Sequence, residues 1–71
     1  MTIYAVLREA ADEMIGEANV EANEYVRLIS IGAGSFADAH SLRGAKLMRR
    51  AHAIEQALAE LPREVAEREV E

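Results

Sequence analysis

The sequence contains no cysteine and no tryptophan, and its 71 residues include only one proline, one phenylalanine and two tyrosines. Without cysteine, the chain cannot form a disulfide or a thiolate metal site. Alanine is abundant, which favours helix but adds little volume to a core. A chain of this length forms one domain, spanning residues 1–71, and it buries only a marginal core on its own.

Long apolar segments are absent as well. No run approaches the roughly 18 residues that a membrane-spanning helix requires. The first residues lack the basic-then-apolar order of a signal peptide. The net charge of −5 disfavours binding to nucleic acid or to an anionic membrane surface. We therefore expect a cytoplasmic protein with neither of these partners.

What the sequence does contain is one glycine-rich break, Gly32-Ala33-Gly34-Ser35, between two long segments with helical patterns. Gly32 or Gly34 can adopt the left-handed conformation that ends many helices. Ser35 is a suitable N-cap for the following helix. A helix end followed at once by a helix start makes the two helices antiparallel neighbours. The predicted fold is therefore all-α, an antiparallel two-helix hairpin with its turn at 32–34.

The first segment predicts a helix over about 2–31, with Thr2 as its N-cap. Its apolar residues recur in steps of three and four, as in an amphipathic helix. They are Ile3, Leu7, Ala11, Met14, Ala18, Ala22, Tyr25 and Ile29. Gly16 weakens the middle by about 1 kcal/mol relative to alanine, and a break at 16–19 with Asn19 as a second cap is the alternative. We favour one continuous helix because the stripe keeps its phase across Gly16.

The second segment predicts a helix over about 35–61 with the same periodicity. Its stripe is Phe36, His40, Gly44, Leu47, Ala51, Ile54, Leu58 and Leu61. A later start is the alternative, because Ser41 is also a fair cap. Pro62 ends the helix. A short C-terminal helical extension over about 62–68 follows, and the charged end after Ala66 is expected to fray.

Acidic and basic residues are segregated between the two helices. Residues 9–24 hold acids and no bases, whereas residues 43–50 hold bases and no acids. We place the reversal at Ala33–Gly34 and assume an equal rise per residue in both arms. The opposed charges are then Glu24 with Arg43, Glu21 with Lys46, and Glu17 with Arg49 or Arg50. Each exposed pair contributes only about 0–1 kcal/mol, so the pairs select register more than they stabilise the fold.

The same register brings small residues of the two helices together, which lets the backbones approach closely. The predicted neighbours are Gly16 with Ala51, and Ala22 with Gly44 and Ala45. Two helices touch along one seam only and do not complete a core. We therefore expect a homo-oligomer, such as a four-helix bundle of two hairpins. The residues predicted at an oligomer or partner interface are Ile15, Leu28, Phe36, Leu47, Met48, Ile54 and Leu58.

Residues that could carry chemistry are sparse. His52 with Glu55 supplies at most two ligands, too few for a structural zinc site, so we expect no metal and no cofactor. The serines near His40 are better explained as caps, and the chain has no G-x-S-x-G motif. A hairpin of this size offers no deep, dry pocket. We therefore expect a protein that is not an enzyme.

Two functions remain. The first is a small helical interaction protein, a regulator, inhibitor or adaptor that binds another protein as a homo-oligomer, with Leu28, Ile31 and Phe36 as a contact near the turn. The alternative is an oligomeric protein that sequesters a small anionic, nucleotide-like ligand, because helix N-termini and glycine turns present N–H groups to phosphate. The residues for that site are Arg27, Ser35, His40, Arg43 and Lys46. The competing explanation of the bases is that they neutralise the opposed acidic stripe.

Overall fold

A computed structural model describes residues 1–70 and shows an all-helical hairpin. Its elements are α1 (Ile3–Ser30), α2 (Gly34–Glu60) and the short α3 (Arg63–Ala66). The two long helices pack against each other in antiparallel directions, which confirms the predicted all-α helical hairpin. Neither long helix of the described chain is apolar enough over sufficient length to cross a membrane.

The first helix begins and runs as the sequence predicts. Thr2 is its N-cap, and the Thr2 Oγ1 accepts a hydrogen bond from the Ala5 N–H at 3.1 Å. The helix is continuous through Gly16, so the alternative of a break with Asn19 as a cap is wrong. Gly16 is exposed, and no described side chain or distant backbone atom lies within 4 Å of a Cβ built on it. The predicted packing of Gly16 against Ala51 is therefore wrong.

The turn is a Schellman motif closed by Gly32. The Ala33 N–H donates to the Leu28 carbonyl at 2.8 Å, and the Gly32 N–H donates to the Ile29 carbonyl at 3.1 Å. Gly32 has φ of 79°, the left-handed conformation that this motif requires. These bonds satisfy carbonyls at the end of α1 that would otherwise lack partners. The prediction of a left-handed glycine is confirmed at Gly32.

The start of α2 differs from the prediction. The N-cap is Ala33, which has no side chain able to cap, and the helix begins at Gly34. Ser35 therefore lies inside the first turn and is not the N-cap, and the later start at Ser41 is also wrong. The reason is the tightness of the Schellman turn, which leaves Ala33 as the only residue between Gly32 and the next helix.

The seam between the helices follows alternating steps of four and three residues. The buried or half-buried positions are Leu7, Ala11, Met14, Ala18, Glu21 and Leu28 in α1, and Ala37, His40, Gly44, Leu47, Ala51, Ile54 and Leu58 in α2. This average of 3.5 residues is the spacing of a coiled-coil seam.

The predicted stripe of α1 drifts away from this seam after Ala18. Ala22 and Ile29 are exposed, while Glu21 is half-buried and Leu28 is buried. Leu28, which the sequence predicted at an oligomer or partner interface, is thus buried within the hairpin itself. In α2 the predicted stripe is correct except at its start, where Ala37 is buried and Phe36 is exposed.

The C-terminal segment packs back against the start of the chain. After α3, the Ile3 N–H donates to the Arg68 carbonyl at 2.8 Å, and the Val70 N–H donates to the Met1 carbonyl at 2.7 Å. The N-terminal ammonium also lies 2.8 Å from the Glu69 carboxylate. The expectation that residues after Ala66 fray is therefore wrong for residues 67–70, because this segment supplies an acceptor to a first-turn N–H of α1.

The hairpin is a single layer of helices. Its principal extents are 52 × 20 × 13 Å and its radius of gyration is 15.9 Å, compared with about 11 Å for a globular chain of this length. Its accessible area is 5137 Å², compared with about 4,400 Å² for a folded monomer of this mass. Among residues 1–70, no large side chain is fully buried, and four of the six buried apolar residues are alanines. Both broad faces are therefore open to solvent.

Candidate interaction surfaces

A polar cluster interrupts the seam at Glu21, His40 and Arg43. The His40 Nδ1 lies 2.5 Å from the Glu21 Oε2, and the Arg43 Nε lies 3.8 Å from the same oxygen. The histidine and glutamate side chains are 24% and 21% exposed. Gly44 brings the helices close here, because a Cβ built on it would lie 3.5 Å from the Glu21 Cβ and 3.6 Å from the Ala18 carbonyl oxygen. The structure thus confirms His40 at the seam and pairs it with Glu21.

The charge register differs from the predicted one by about one helical turn. Glu21 contacts Arg43 where Lys46 was predicted. Glu24 was predicted opposite Arg43, but it pairs with Arg27 on its own helix. The shift arises because the reversal is centred on Gly32 and not on Ala33–Gly34. Each residue of α2 therefore lies opposite a residue of α1 that comes earlier in the chain than its predicted partner.

The pKa of Glu24 records this local pairing. The hydrogen bond from Arg27 lowers the pKa of the Glu24 carboxyl, and the charge of the Arg27 guanidinium acts in the same direction. A hydrogen bond to the Asp12 carboxylate likewise raises the pKa of the Arg8 guanidinium. The Arg8 Nη1 also lies 3.6 Å from the Glu55 Oε2 of α2. Such exposed pairs add little free energy.

The acidic and basic stripes do meet, along one flank of the seam that we name the charged groove. Its lining residues are Glu17, Glu21, Arg43, Lys46, Leu47 and Arg50. The predicted juxtaposition of acids from α1 with bases from α2 is therefore present, with the shifted register. Carboxylates and cations are mixed within this groove, and this mixing is the arrangement expected if the bases neutralise the acids.

The five residues predicted for an anion site do not converge on one open site. His40 and Arg43 meet at the Glu21 carboxylate, and Lys46 lies in the charged groove. Arg27 pairs with Glu24, and Ser35 is exposed in the first turn of α2. An anionic ligand at His40 and Arg43 would have to displace the carboxylate that already contacts both.

The other flank of the seam carries a second depression, which we name the apolar groove. It is lined by Ala18, Asn19, Ala22, Tyr25, His40, Ser41, Gly44, Ala45 and Met48, and its volume is about 320 Å³. No aspartate, glutamate, lysine or arginine of the described chain is among these residues. Ala22, Gly44 and Ala45 all line this groove, but Gly44 lies closest to Ala18 and Glu21, so the predicted pairing of Ala22 with Gly44 is replaced by the shifted register. Helix geometry places Ala22 and Ala45 on the flank opposite Glu17 and Arg43.

The residues predicted at an interface fall into two groups. Leu28 and Leu58 are buried, and Leu47 and Ile54 are half-buried along the seam of the hairpin itself. Met48 lines the apolar groove, and Ile15 is half-buried on the same flank. Phe36 is 71% exposed. The two buried and two half-buried residues of the seam therefore already pack within one chain. Met48, Ile15 and Phe36 remain available to a partner.

Three exposed apolar residues lie close to the turn, and we name them the apolar tip: Ile29, Ile31 and Phe36. Their exposures are 49%, 64% and 71%. The sequence predicted Leu28, Ile31 and Phe36 for this contact, and the structure replaces Leu28 with Ile29. Leu28 belongs to the inward-facing series of the seam and is buried, whereas the next residue, Ile29, is exposed.

The second histidine lies apart from these surfaces. The His52 Nδ1 is 3.6 Å from the Glu55 Oε1 on the same helix, and the His52 side chain is 66% exposed. No group of three or more histidine, cysteine, aspartate or glutamate side chains in residues 1–70 could hold a metal ion.

Comparison of the chain with protein-family models, with curated proteins and with solved structures finds no match. Sequence reasoning missed the inward, half-buried position of Glu21 at the seam. The step of three from Ala18 to Glu21, repeated from Tyr25 to Leu28, was the signal that could have placed Glu21 on the inner side.

Proposed function

We propose that this chain is a small, non-enzymatic helical interaction protein of the cytoplasm. It assembles as a homo-oligomer and regulates or adapts another protein by binding it. Its acidic charge keeps it from nucleic acid and from anionic membrane surfaces. The observation that carries the proposal is the single-layer architecture, 13 Å in its thinnest dimension, which leaves eleven large apolar residues exposed.

The free energy of apolar burial supports self-association. Folded domains bury their apolar surfaces between at least two layers of secondary structure. One hairpin supplies only one layer, four of its six buried apolar residues are alanines, and a polar pair interrupts its seam. Covering one broad face with a further layer would bury side chains such as Tyr25 and Met48, at about 25 cal/mol per Å² of apolar surface.

The apolar tip supports binding to a second protein. Phe36 and Ile31 are the most exposed of the large apolar residues near the turn. They lie at the end of the hairpin, where packing along a broad face does not reach them. Exposed aromatic and aliphatic side chains that cluster on a small protein are typical of interaction sites.

The alternative, an anion-sequestering protein, has less support. The Glu21 carboxylate already takes up the contacts of His40 and Arg43 that a phosphate would need. Thermal unfolding of the protein across a panel of nucleotides tests it directly. A ligand-specific rise in the unfolding temperature that is lost in Arg43→Gln would favour this alternative over the interaction protein.

The test of partner binding uses the tip and matched positions elsewhere. The wild type, carrying an affinity tag, is compared with Ile31→Ser/Phe36→Ser and with the control Val20→Ser/Leu42→Ser. Val20 and Leu42 are also exposed, at 66% and 55%, but they lie outside the tip. We expect a protein captured by the wild type to be retained by the control and lost by the tip variant, and purified partner to reproduce this order of affinity. Equal capture by all three proteins would contradict the assignment of the tip.

A further inference from the structure

We infer that the apolar groove is covered by the same groove of a second copy of this chain, which gives a two-fold symmetric four-helix bundle. This inference rests on the proposed self-association and adds the face through which it occurs.

The chemistry of the two flanks decides which face is buried. The charged groove would have to bring Glu17, Arg43 and Lys46 out of water, and the desolvation of such groups opposes burial unless each is paired. The apolar groove carries no such charge in the described chain. Two copies can therefore approach through it without placing like charges against each other, although each chain carries a net charge of −5.

The shape of the apolar groove is suited to a copy of itself. Its floor is formed by small residues, among them Ala18, Ala22 and Gly44, whereas Tyr25 and Met48 are large. A two-fold interface uses the same patch on both chains, so each large residue of one copy can enter the space above small residues of the other. Helices joined through such small residues approach closely, as the two helices within one chain do at Gly44.

The available area fits a second copy of the whole hairpin. The broad face measures 52 × 20 Å, a footprint of about 1,000 Å² per copy, and a standard stable interface buries about 800 Å² per partner. A single foreign helix, about 10 Å wide, would cover only half the width of this face. A second copy, which has the same width as this face, is therefore the occupant that fits it.

The inference is tested with two alanines of α2 that are both exposed, Ala45 in the apolar groove and Ala53 outside it. Sedimentation equilibrium is measured for the wild type, Ala45→Glu and Ala53→Glu over a wide concentration range. We expect the wild type and Ala53→Glu to reach twice the 7.8 kDa of one chain. Ala45→Glu should associate about 100-fold more weakly, because it would bury an unpaired carboxylate.

A second variant and a second signal guard against simple unfolding. Ala22→Glu places the same charge in the groove from α1, and circular dichroism reports whether each variant keeps its helices. The absence of tryptophan leaves tyrosine fluorescence readable, so Tyr4→Phe isolates the signal of Tyr25. In that background, we expect quenching of Tyr25 by acrylamide to fall as the protein associates.

The outcomes separate this inference from the proposed function. If the wild type associates but Ala45→Glu and Ala22→Glu keep its mass, another face mediates association, so the groove assignment is overturned while the proposed homo-oligomer stands. If Ala45→Glu and Ala22→Glu remain helical and keep the wild-type mass but no longer capture a second protein, then the groove binds that protein. This result would overturn the inference. A wild type that stays monomeric at every concentration overturns both.

Discussion

The Glu21 carboxylate and the His40 imidazole meet across the helix seam, with the Glu21 Oε2 2.5 Å from the His40 Nδ1. Both positions belong to the inward-facing series that apolar residues occupy elsewhere along the hairpin. Gly44 lies beside Glu21 and lets the two backbones come near enough for this contact. A polar pair of this kind fixes the alignment of two helices more than it stabilises them.

The first prediction concerns the coupling of this pair. Glu21→Gln and His40→Gln should each lower the free energy of unfolding by about 1 kcal/mol, because the side chains are partly screened by solvent. A double-mutant cycle in urea should give a coupling energy of about 1 kcal/mol. Arg43→Gln, whose guanidinium is more distant and more exposed, should cost less than about 0.5 kcal/mol. Additive single effects at Glu21 and His40 would show that the pair does not act as a unit.

The second prediction tests the observed charge register through the pKa of Glu24. NMR titration should show this pKa below its ordinary value of 4.5, and Arg27→Gln should raise it towards that value. Arg43→Gln should leave it nearly unchanged, since Glu24 pairs within α1. Because the folded pKa is lowered, the contribution of Glu24 to stability is present above the unfolded pKa and is lost as the pH falls through the folded pKa. A larger change of the Glu24 pKa in Arg43→Gln than in Arg27→Gln would instead support the register predicted from sequence.

The third prediction compares two glycines with opposite roles. Gly32→Ala should destabilise the fold by about 1 kcal/mol, because a Cβ is strained at φ of 79°. Gly16→Ala should stabilise it by about 1 kcal/mol, because Gly16 is helical and a Cβ there meets no neighbouring atom. Urea unfolding measures both. Loss of stability in Gly16→Ala would indicate that an unrecognised contact covers this part of α1.

The fourth prediction concerns the pairing of the chain ends. Deletion of residues 67–71 should accelerate amide hydrogen exchange at Ile3 by about fivefold, because its N–H loses the Arg68 carbonyl and a lost hydrogen bond costs about 1 kcal/mol. The control Glu69→Gln removes only the charge that contacts the terminal ammonium. It should leave the Ile3 amide protected. Unchanged exchange at Ile3 in the deletion variant would show that the backbone pairing is not maintained in solution.

The hairpin could be predicted from sequence because its determinants are local. Gly32 closes the turn through its own left-handed conformation, and Thr2 caps α1 through its own hydroxyl. The inner face of α2 was also predictable from His40 onwards, because its residues happen to repeat with the spacing of a two-helix seam. Each of these features depends on a few neighbouring residues and not on the rest of the fold.

The register and the inner face of α1 were not predictable by the same reasoning. A stripe extended with the 3.6-residue period of a lone helix runs from Ala18 to Ala22 and drifts outward, whereas two packed helices keep a 3.5-residue seam and bring Glu21 inward. The sequence also offers two glycines for the turn, and choosing Gly34 over Gly32 moves the opposed pairs by about one turn of helix. The pairing of Glu24 with Arg27 then follows from proximity along one helix, which competes with any partner across the seam.

The hydrogen bond between Val70 and the Met1 carbonyl has a topological consequence. It holds Met1 and Val70 side by side at one pole of a 52 Å rod, with the reversal of the chain at the opposite pole. A brief linker between these two residues could close residues 1–70 into a ring without displacing either long helix, and circular permutants could then be opened elsewhere. A dye or affinity handle attached at either residue would occupy the same pole, remote from Phe36.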